Sequence, residues 1–332
     1  MTRYEAFMTI LETGSFTRAA SVMGYTQSAV SQMLHSLEKE LGTTLILRSR
    51  GGISLTPDGE VLLPYIRGIC TARRELLEKR QEMSGLKGAR IRIGTFSSVS
   101  SNWLPGLMKD FRHQYPSVSF ELHQGEYTSI AQWIREGTVD FGFENPRAEA
   151  VAGLETIPLR RDEMMAVLPA GHPLAASACV AAADLVREPF ILLDEGQLSE
   201  PLEYFARLGL APHVQYRAHD DYTIMSMIEN GLGIAILPKL VMTRHAYRVE
   251  TRVVDPPLFR TIALAFRNRK AMPIASRLFL DFIVDRYGAM REQVDGPAEP
   301  MRERADGSAG PVREQDDAAS DRAPERAAAS SR

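Results

Sequence analysis

GSFTRAASVMGYTQSAVSQMLHSLEKEL, residues 14–41, reads as two helices joined by a tight turn. Ser15 suits the N-cap of the first, because its hydroxyl can accept an orphan backbone N–H. Phe16, Ala19, Ala20 and Met23 recur at helical spacing and make one apolar face. Gly24 supplies the left-handed residue that ends this helix. Thr26 caps the next, and Val30, Leu34, Leu37 and Leu41 form its apolar stripe.

The opposite face of the second helix carries Gln27, Ser28, Ser31, Gln32 and His35, crowded into its N-terminal half. Amides and hydroxyls in the first two turns of a helix are what meets base edges when that helix enters a major groove. The small Ala19-Ala20 pair lets the helices cross closely. An amphipathic helix pair with a merely solvated face would carry a similar pattern, so the flanking sequence has to decide.

It does so in residues 45–59, LILRSRGGISLTPDG, which read as a strand, a Gly51-Gly52 turn and a second strand. This is a wing with Arg48 and Arg50 at its tip. Helix, helix-turn-helix, LEKELG, basic Gly-rich wing and LTPDG, in that order, resemble the N-terminal domain of LysR-type transcriptional regulators. The resemblance covers residues 4–77, with further marks as far as residue 287. It departs at Gln32-Met33, where the family often has a basic residue and then Gln, so base preference is not carried over. The DNA-contacting set expected on these grounds is Arg18, Thr26, Gln27, Ser28, Ser31, Gln32, His35, Arg48 and Arg50.

The 332 residues suffice for two or three domains, and 44% apolar content supports packed cores. No apolar run approaches the ~20 residues of a membrane span, and the start lacks the apolar core of a signal peptide. A cytoplasmic protein without membrane contact is expected. Cys70 and Cys179 lie far apart in sequence and are expected as free thiols. The net charge of −3 excludes a broadly basic, histone-like binder. It permits a specific one that touches phosphates with a few arginines and helix N-termini.

Thr2 and Glu5 form a capping box for a first helix with Tyr4, Phe7, Met8 and Leu11 inward. After the wing, Pro57 opens a long helix with Leu62, Leu63, Ile66, Ile69, Cys70, Leu76, Leu77 and Met83 along it. A stripe leaving so small a domain predicts the same helix of a second subunit as partner; packing on its own domain is the alternative. Residues 84–88 read as a hinge. From residue 89 strands alternate with helices, which predicts α/β architecture with a mainly parallel sheet. VDFGF and GLGIAILP are further marks of the family. They imply a regulatory region of two lobes joined by two crossover strands, like periplasmic binding proteins. The expected division is 1–58 winged helix-turn-helix, 59–88 linker helix and hinge, 89–161 plus 267–290 first lobe, and 162–266 second lobe. Residues 291–332 lose large apolar side chains and are expected to be disordered.

GTFSSVSSNWLP, residues 94–105, ends a strand and begins a helix with Thr95, Ser97, Ser98 and Ser100 at the junction. Open α/β sheets take ligands beyond the carboxyl ends of their strands, and free helix-start N–H groups favour an anion. The resemblance puts an effector pocket there, between the lobes. Tyr127 and Thr128, Phe143 and Glu144 occupy equivalent junctions, and Asp194, Glu195, Asp221 and Thr223 are expected from the other lobe. Anionic walls beside one anion site favour a small acid carrying a hydroxyl or amine over a dianion.

Gly231 and Gly233 follow a helix and precede a strand, the reverse of a dinucleotide fingerprint. The sequence has no P-loop, zinc spacing or nucleophile elbow, so neither cofactor, metal nor catalysis is expected. The reading is a regulator of this family that binds double-stranded DNA at an interrupted inverted repeat. A small-molecule effector controls it, and it assembles as a dimer; the resemblance implies tetramers. The rivals are a cytoplasmic solute-binding protein, which the N-terminal domain disfavours, and an α/β enzyme, for which no catalytic constellation is present.

Overall fold

A computed structural model of the chain describes residues 2–49, 52–82, 86, 88–243 and 246–288. Arg50, most of the expected hinge and the expected disordered tail lie outside the described residues.

The chain opens with α1 (Arg3–Thr13), α2 (Phe16–Met23) and α3 (Gln27–Leu41). Thr2 and Glu5 close the capping box on α1, while Ser15 and Thr26 accept from the backbone N–H groups of Arg18 and Ala29. Gly24, at φ 70°, turns the chain between α2 and α3 in a conformation that strains other residues. Phe7, Ile10, Phe16, Ala20, Val30, Leu34 and Leu37 pack into one small core. Leu41, expected in the stripe, is 36% exposed because the last turn of α3 outruns that core. Strands β1 (Ile46–Ser49) and β2 (Gly52–Leu55) pair antiparallel as the wing.

The apolar stripe of α4 (Pro57–Glu82) divides between two faces. Ile66 is buried in the core of the helix-turn-helix, with Leu62 and Leu63 packed against it. Val61, Tyr65, Ile69 and Leu76, spaced by about one and two turns, remain 46–71% exposed. The helix is therefore both a lid on its own domain and the bearer of an uncovered apolar row. Its remaining flank meets the region that follows: Arg67 pairs with Glu136, the Thr71 hydroxyl donates to the Glu136 carbonyl (2.9 Å), and Arg267 pairs with Glu75.

The regulatory region begins with β3 (Arg90–Thr95), α5 (Ser97–Asn102), α6 (Leu104–Gln114), β4 (Ser119–Gln124), α7 (Tyr127–Glu136) and β5 (Phe141–Glu144). It crosses over on β6 (Glu155–Pro169). Then come β7 (Cys179–Ala181), α8 (Ala182–Leu185), β8 (Phe190–Leu193), α9 (Glu200–Arg207), β9 (Val214–Ala218), α10 (Asp221–Glu229) and β10 (Ala235–Pro238). It returns on β11 (Val249–Phe266) and ends in α11 (Ile274–Gly288).

The expected mainly parallel sheet is a mixed one. Its order is β10-β6-β11-β5-β3-β4, with β7 beside β11. The pairs β3–β4, β3–β5 and β7–β11 are parallel, and β10–β6, β6–β11 and β11–β5 are antiparallel. The two long crossover strands run in opposite directions because one leaves the first lobe and the other returns to it. Phe111, Phe141, Phe143, Phe266 and Phe279 centre the first lobe's core. In the second lobe, Met164, Ala166 and Leu168 face one core and Val167 the other, as strand alternation requires. Ile262, Leu264, Ala265 and Phe266 of β11, ahead of the expected boundary at residues 266–267, pack in the first lobe's core.

Candidate functional site

On the N-terminal domain, Arg18, Thr26, Gln27, Ser28, Gln32, His35 and Arg48 are exposed and Ser31 is half-buried. The Thr26 hydroxyl is engaged as the α3 cap and lies 3.1 Å from the Ser28 hydroxyl. Ser28 and Gln32, about one turn apart, share an exposed face on the leading half of α3 with Gln27 beside it, side chains suited to base edges. Arg48 reaches from β1 across this face. Its guanidinium lies 3.9 Å from the Phe16 ring centroid and donates to Ser31 Oγ (3.0 Å). Arg48 thus links the wing to both α2 and α3.

A second polar group lies buried where the two lobes meet. Arg260 on β11 stands directly opposite Asp162 on β6 in the strand register. Arg260 Nε and Nη2 are 3.1 and 3.0 Å from Asp162 Oδ2, and Nη2 also donates to Ser98 Oγ (2.7 Å). Glu195 Oε1 is 3.7 Å from Nη1, and the guanidinium lies 4.9 Å from the centroid of the Phe96 ring. Ser97 donates to Asp221 Oδ2 (2.5 Å), which ties α5 of the first lobe to α10 of the second. Tyr127 OH and Asn145 Nδ2, both from the first lobe, donate to Glu200 Oε1 at 3.0 and 2.8 Å.

Of the expected effector residues, Ser97, Ser98, Tyr127, Glu195 and Asp221 come together in this group. Thr128 borders it, its hydroxyl accepting from the Gln197 backbone N–H (3.3 Å). Close by, Gly196 adopts φ 87° and abuts Glu126 and Thr128 so tightly that a Cβ would overlap them. The loop from the second lobe is therefore pressed onto the first.

Other expected residues stand apart. Thr95 is fully buried at the end of β3, and its hydroxyl donates to the Phe96 carbonyl. Ser100 donates back to the Ser97 carbonyl within α5, which already starts at Ser97. Phe143 is in the first lobe's core against Trp103 and Phe141. Asp194 is half-buried and accepts from the Gly196 N–H, while Thr223 is an exposed partner of the Asp220 cap. Glu144 is inside the first lobe, on the side of β5 where Gly142 meets α7. Its neighbour Asn145 reaches the junction, a one-residue difference that on a strand reverses the face.

Burial and the Glu126 carboxylate push Glu144 up to about 9, against weaker pulls from the Asn145 and Ala131 backbone and Arg135. Glu195 is held well above the usual carboxylate range by burial and by Glu200, outweighing Arg260. Burial also raises Asp221, in spite of the Ser97 hydrogen bond. The expected anion site at a helix start thus gives way to a different arrangement: Ser97 and Ser98 are already engaged, and the positive charge comes from Arg260.

Sequence reading missed Arg260, Asp162, Glu200 and Asn145. A signal existed. Arg260 falls on the same strand face as Leu258 and Ile262, and Asp162 on that of Met164 and Ala166. An ionic side chain at an inward strand position needs a partner.

Known proteins resemble the chain along most of its length. Residues 1–60 match the family described as bacterial regulatory helix-turn-helix protein, lysR family, and residues 84–288 match the LysR substrate binding domain. An uncharacterized HTH-type transcriptional regulator, YvbU of Bacillus subtilis, is 33% identical over 87% of this chain and 99% of its own. The fold is similar to a full-length OxyR variant from Pseudomonas aeruginosa, with TM-score 0.66, 25% identity, and 86% and 95% of the two chains covered. It is also similar to full-length CbnR in complex with its target DNA, with TM-score 0.63, 19% identity, and 86% and 98% coverage.

Proposed function

The chain belongs to the LysR family of transcriptional regulators, and on that footing we propose that it reads an interrupted inverted repeat through paired α3 helices. It is a DNA-binding regulator, not an enzyme. Among the described residues no helix is long and apolar enough to cross a membrane.

The observation that carries the proposal is the exposed face of α3, with Gln27, Ser28 and Gln32 outward and Arg48 bracing the wing against Ser31. Two such faces related by a dyad read symmetric half-sites. The uncovered row Val61, Tyr65, Ile69 and Leu76 on α4 supports a dimer through that helix, and pairs of dimers would give a tetramer. The same reading divides the chain into winged helix-turn-helix, linker helix and two lobes, and the packing of Ile262 and Leu264 in the first core supports a second crossing within β11.

The effector site in this reading is the junction of Ser97, Ser98, Tyr127, Asp221, Glu200 and Arg260. A ligand there has different contacts in open and closed lobes, so it shifts the population between them. α4 is tied to Glu136 and Arg267 of the first lobe, which supports passage of that shift to the DNA-binding domains. The test is a footprint on the chain's own upstream DNA. Protection of two symmetric half-sites is expected, lost in Gln27→Ala; protection without symmetry, or no binding, overturns the reading.

A further inference from the structure

We propose that the lobe junction takes a small organic molecule bearing a protonated amine, received by Glu200 and Asp221. The proposal rests on reading this junction as the effector site and adds the ligand's chemical class.

The junction is unbalanced in charge. Arg260 pairs with both Asp162 and Glu195, and Asp221 lies within its electrostatic reach. Asp162 occupies it from the facing strand, with two hydrogen-bonding nitrogens on one oxygen. The lobe-two acids have neutral donors in place of charges: Ser97 for Asp221, Tyr127 and Asn145 for Glu200. Glu200 is 1% and Asp221 4% exposed. Asp221 Oδ1 and Glu200 Oε2 have no hydrogen-bond donor. Buried carboxylate oxygens are ordinarily satisfied, and leaving one bare is costly.

The missing component is a donor with positive charge. An acid or a dianion would add to the surplus. A divalent metal does not suit the group, because no three such side chains among the described residues are placed to hold one. An ammonium supplies three N–H donors from one atom and forms charge-assisted bonds with carboxylates. Ser97 holds Asp221, Arg260 bridges Ser98 and Glu195, and Tyr127, whose ring packs edge-on against Phe96, holds Glu200, so the acids gather around the start of α5. Asp220, on the Asp221 side, adds a further negative charge and Tyr127 adds none. An arriving ammonium would give the bare Glu200 and Asp221 oxygens the donors they lack.

The experiment titrates the full chain by calorimetry and thermal shift with glycine, β-alanine, γ-aminobutyrate, ethanolamine and putrescine. Acetate, propionate, butyrate, ethylene glycol and butanediol are the matched probes without nitrogen. An amine probe is expected to raise Tm and to bind with measurable heat. Glu200→Gln and Asp221→Asn, which keep shape and remove a buried acid, are each expected to weaken it about tenfold or more. Four results overturn the proposal or its premise. Nitrogen-free probes binding in place of amines, with loss in both variants, would keep the site and discard the amine. Amine binding untouched by both variants would put the ligand elsewhere, and no binding by any probe would end the proposal. Amine binding at these residues with an unchanged DNA footprint would uphold the ligand class and remove the effector reading.

Discussion

Arg260 and Asp162 face each other across the two crossover strands, joined by nitrogens 3.0 and 3.1 Å from one carboxylate oxygen. The strands that connect the lobes are thereby also joined by an ion pair at their midpoint. Its side chains are 1% and 8% exposed, so each charge depends on the other for solvation.

Removing one partner should cost more than removing both. Arg260→Met strands Asp162 and is expected to lower stability by about 3–5 kcal/mol. Arg260→Met with Asp162→Leu should recover much of that loss. Urea unfolding of the single and double variants measures the difference. Additive losses would mean that the pair is not coupled.

Glu144 makes stability depend on pH. It is protonated in the fold up to about 9 and ionised in the unfolded chain above its ordinary value of 4.5. Between those limits the native state holds the extra proton, so stability falls as pH rises, by up to about 1.4 kcal/mol per unit. Glu144→Gln should match the native protein near pH 5 and exceed it by about 2–4 kcal/mol at pH 8. Glu195 and Asp221 shift in the same direction, so a reduced slope persists in the variant. Unfolding curves that stay parallel across this range would refute the assignment.

The two faces of α4 should respond differently to substitution. Ile69→Glu puts a charge on the uncovered row and should shift the protein towards monomer with its domains folded. Ile66→Ala opens a cavity in the helix-turn-helix core and should destabilise that domain by about 2–5 kcal/mol. Light scattering and domain unfolding separate the effects. An unchanged mass for Ile69→Glu would count against the dimer face.

Arg48 and Gln27 should fail in different ways at DNA. Gln27→Ala is expected to cost about 1–3 kcal/mol at the specific site alone. Arg48→Ala should weaken specific and non-specific binding together and lower the salt slope by about one. It also loses the contacts to Phe16 and Ser31, so Arg48→Lys should not restore the native affinity. Anisotropy titrations at several salt concentrations distinguish these outcomes.

The amino-acid order by itself determined the helix-turn-helix, the wing, the long α4 and the alternation of strands with helices. Each is written in neighbours: caps at Ser15 and Thr26, the turn at Gly24, apolar residues at helical or strand spacing. It also placed Ser97, Ser98, Tyr127 and Asp221 near strand ends, because that follows from local order. Tertiary structure decided the rest. Which side of α4 found a core depended on how far the small domain reaches, which divided Ile66 from Ile69. Asn145 and not Glu144 entered the junction because the register of β5 set which side chain faces the second lobe. Arg260 met Asp162 across a sequence separation of 98 residues because two crossover strands came into antiparallel register. No local pattern encodes a pairing that exists only once both strands lie side by side.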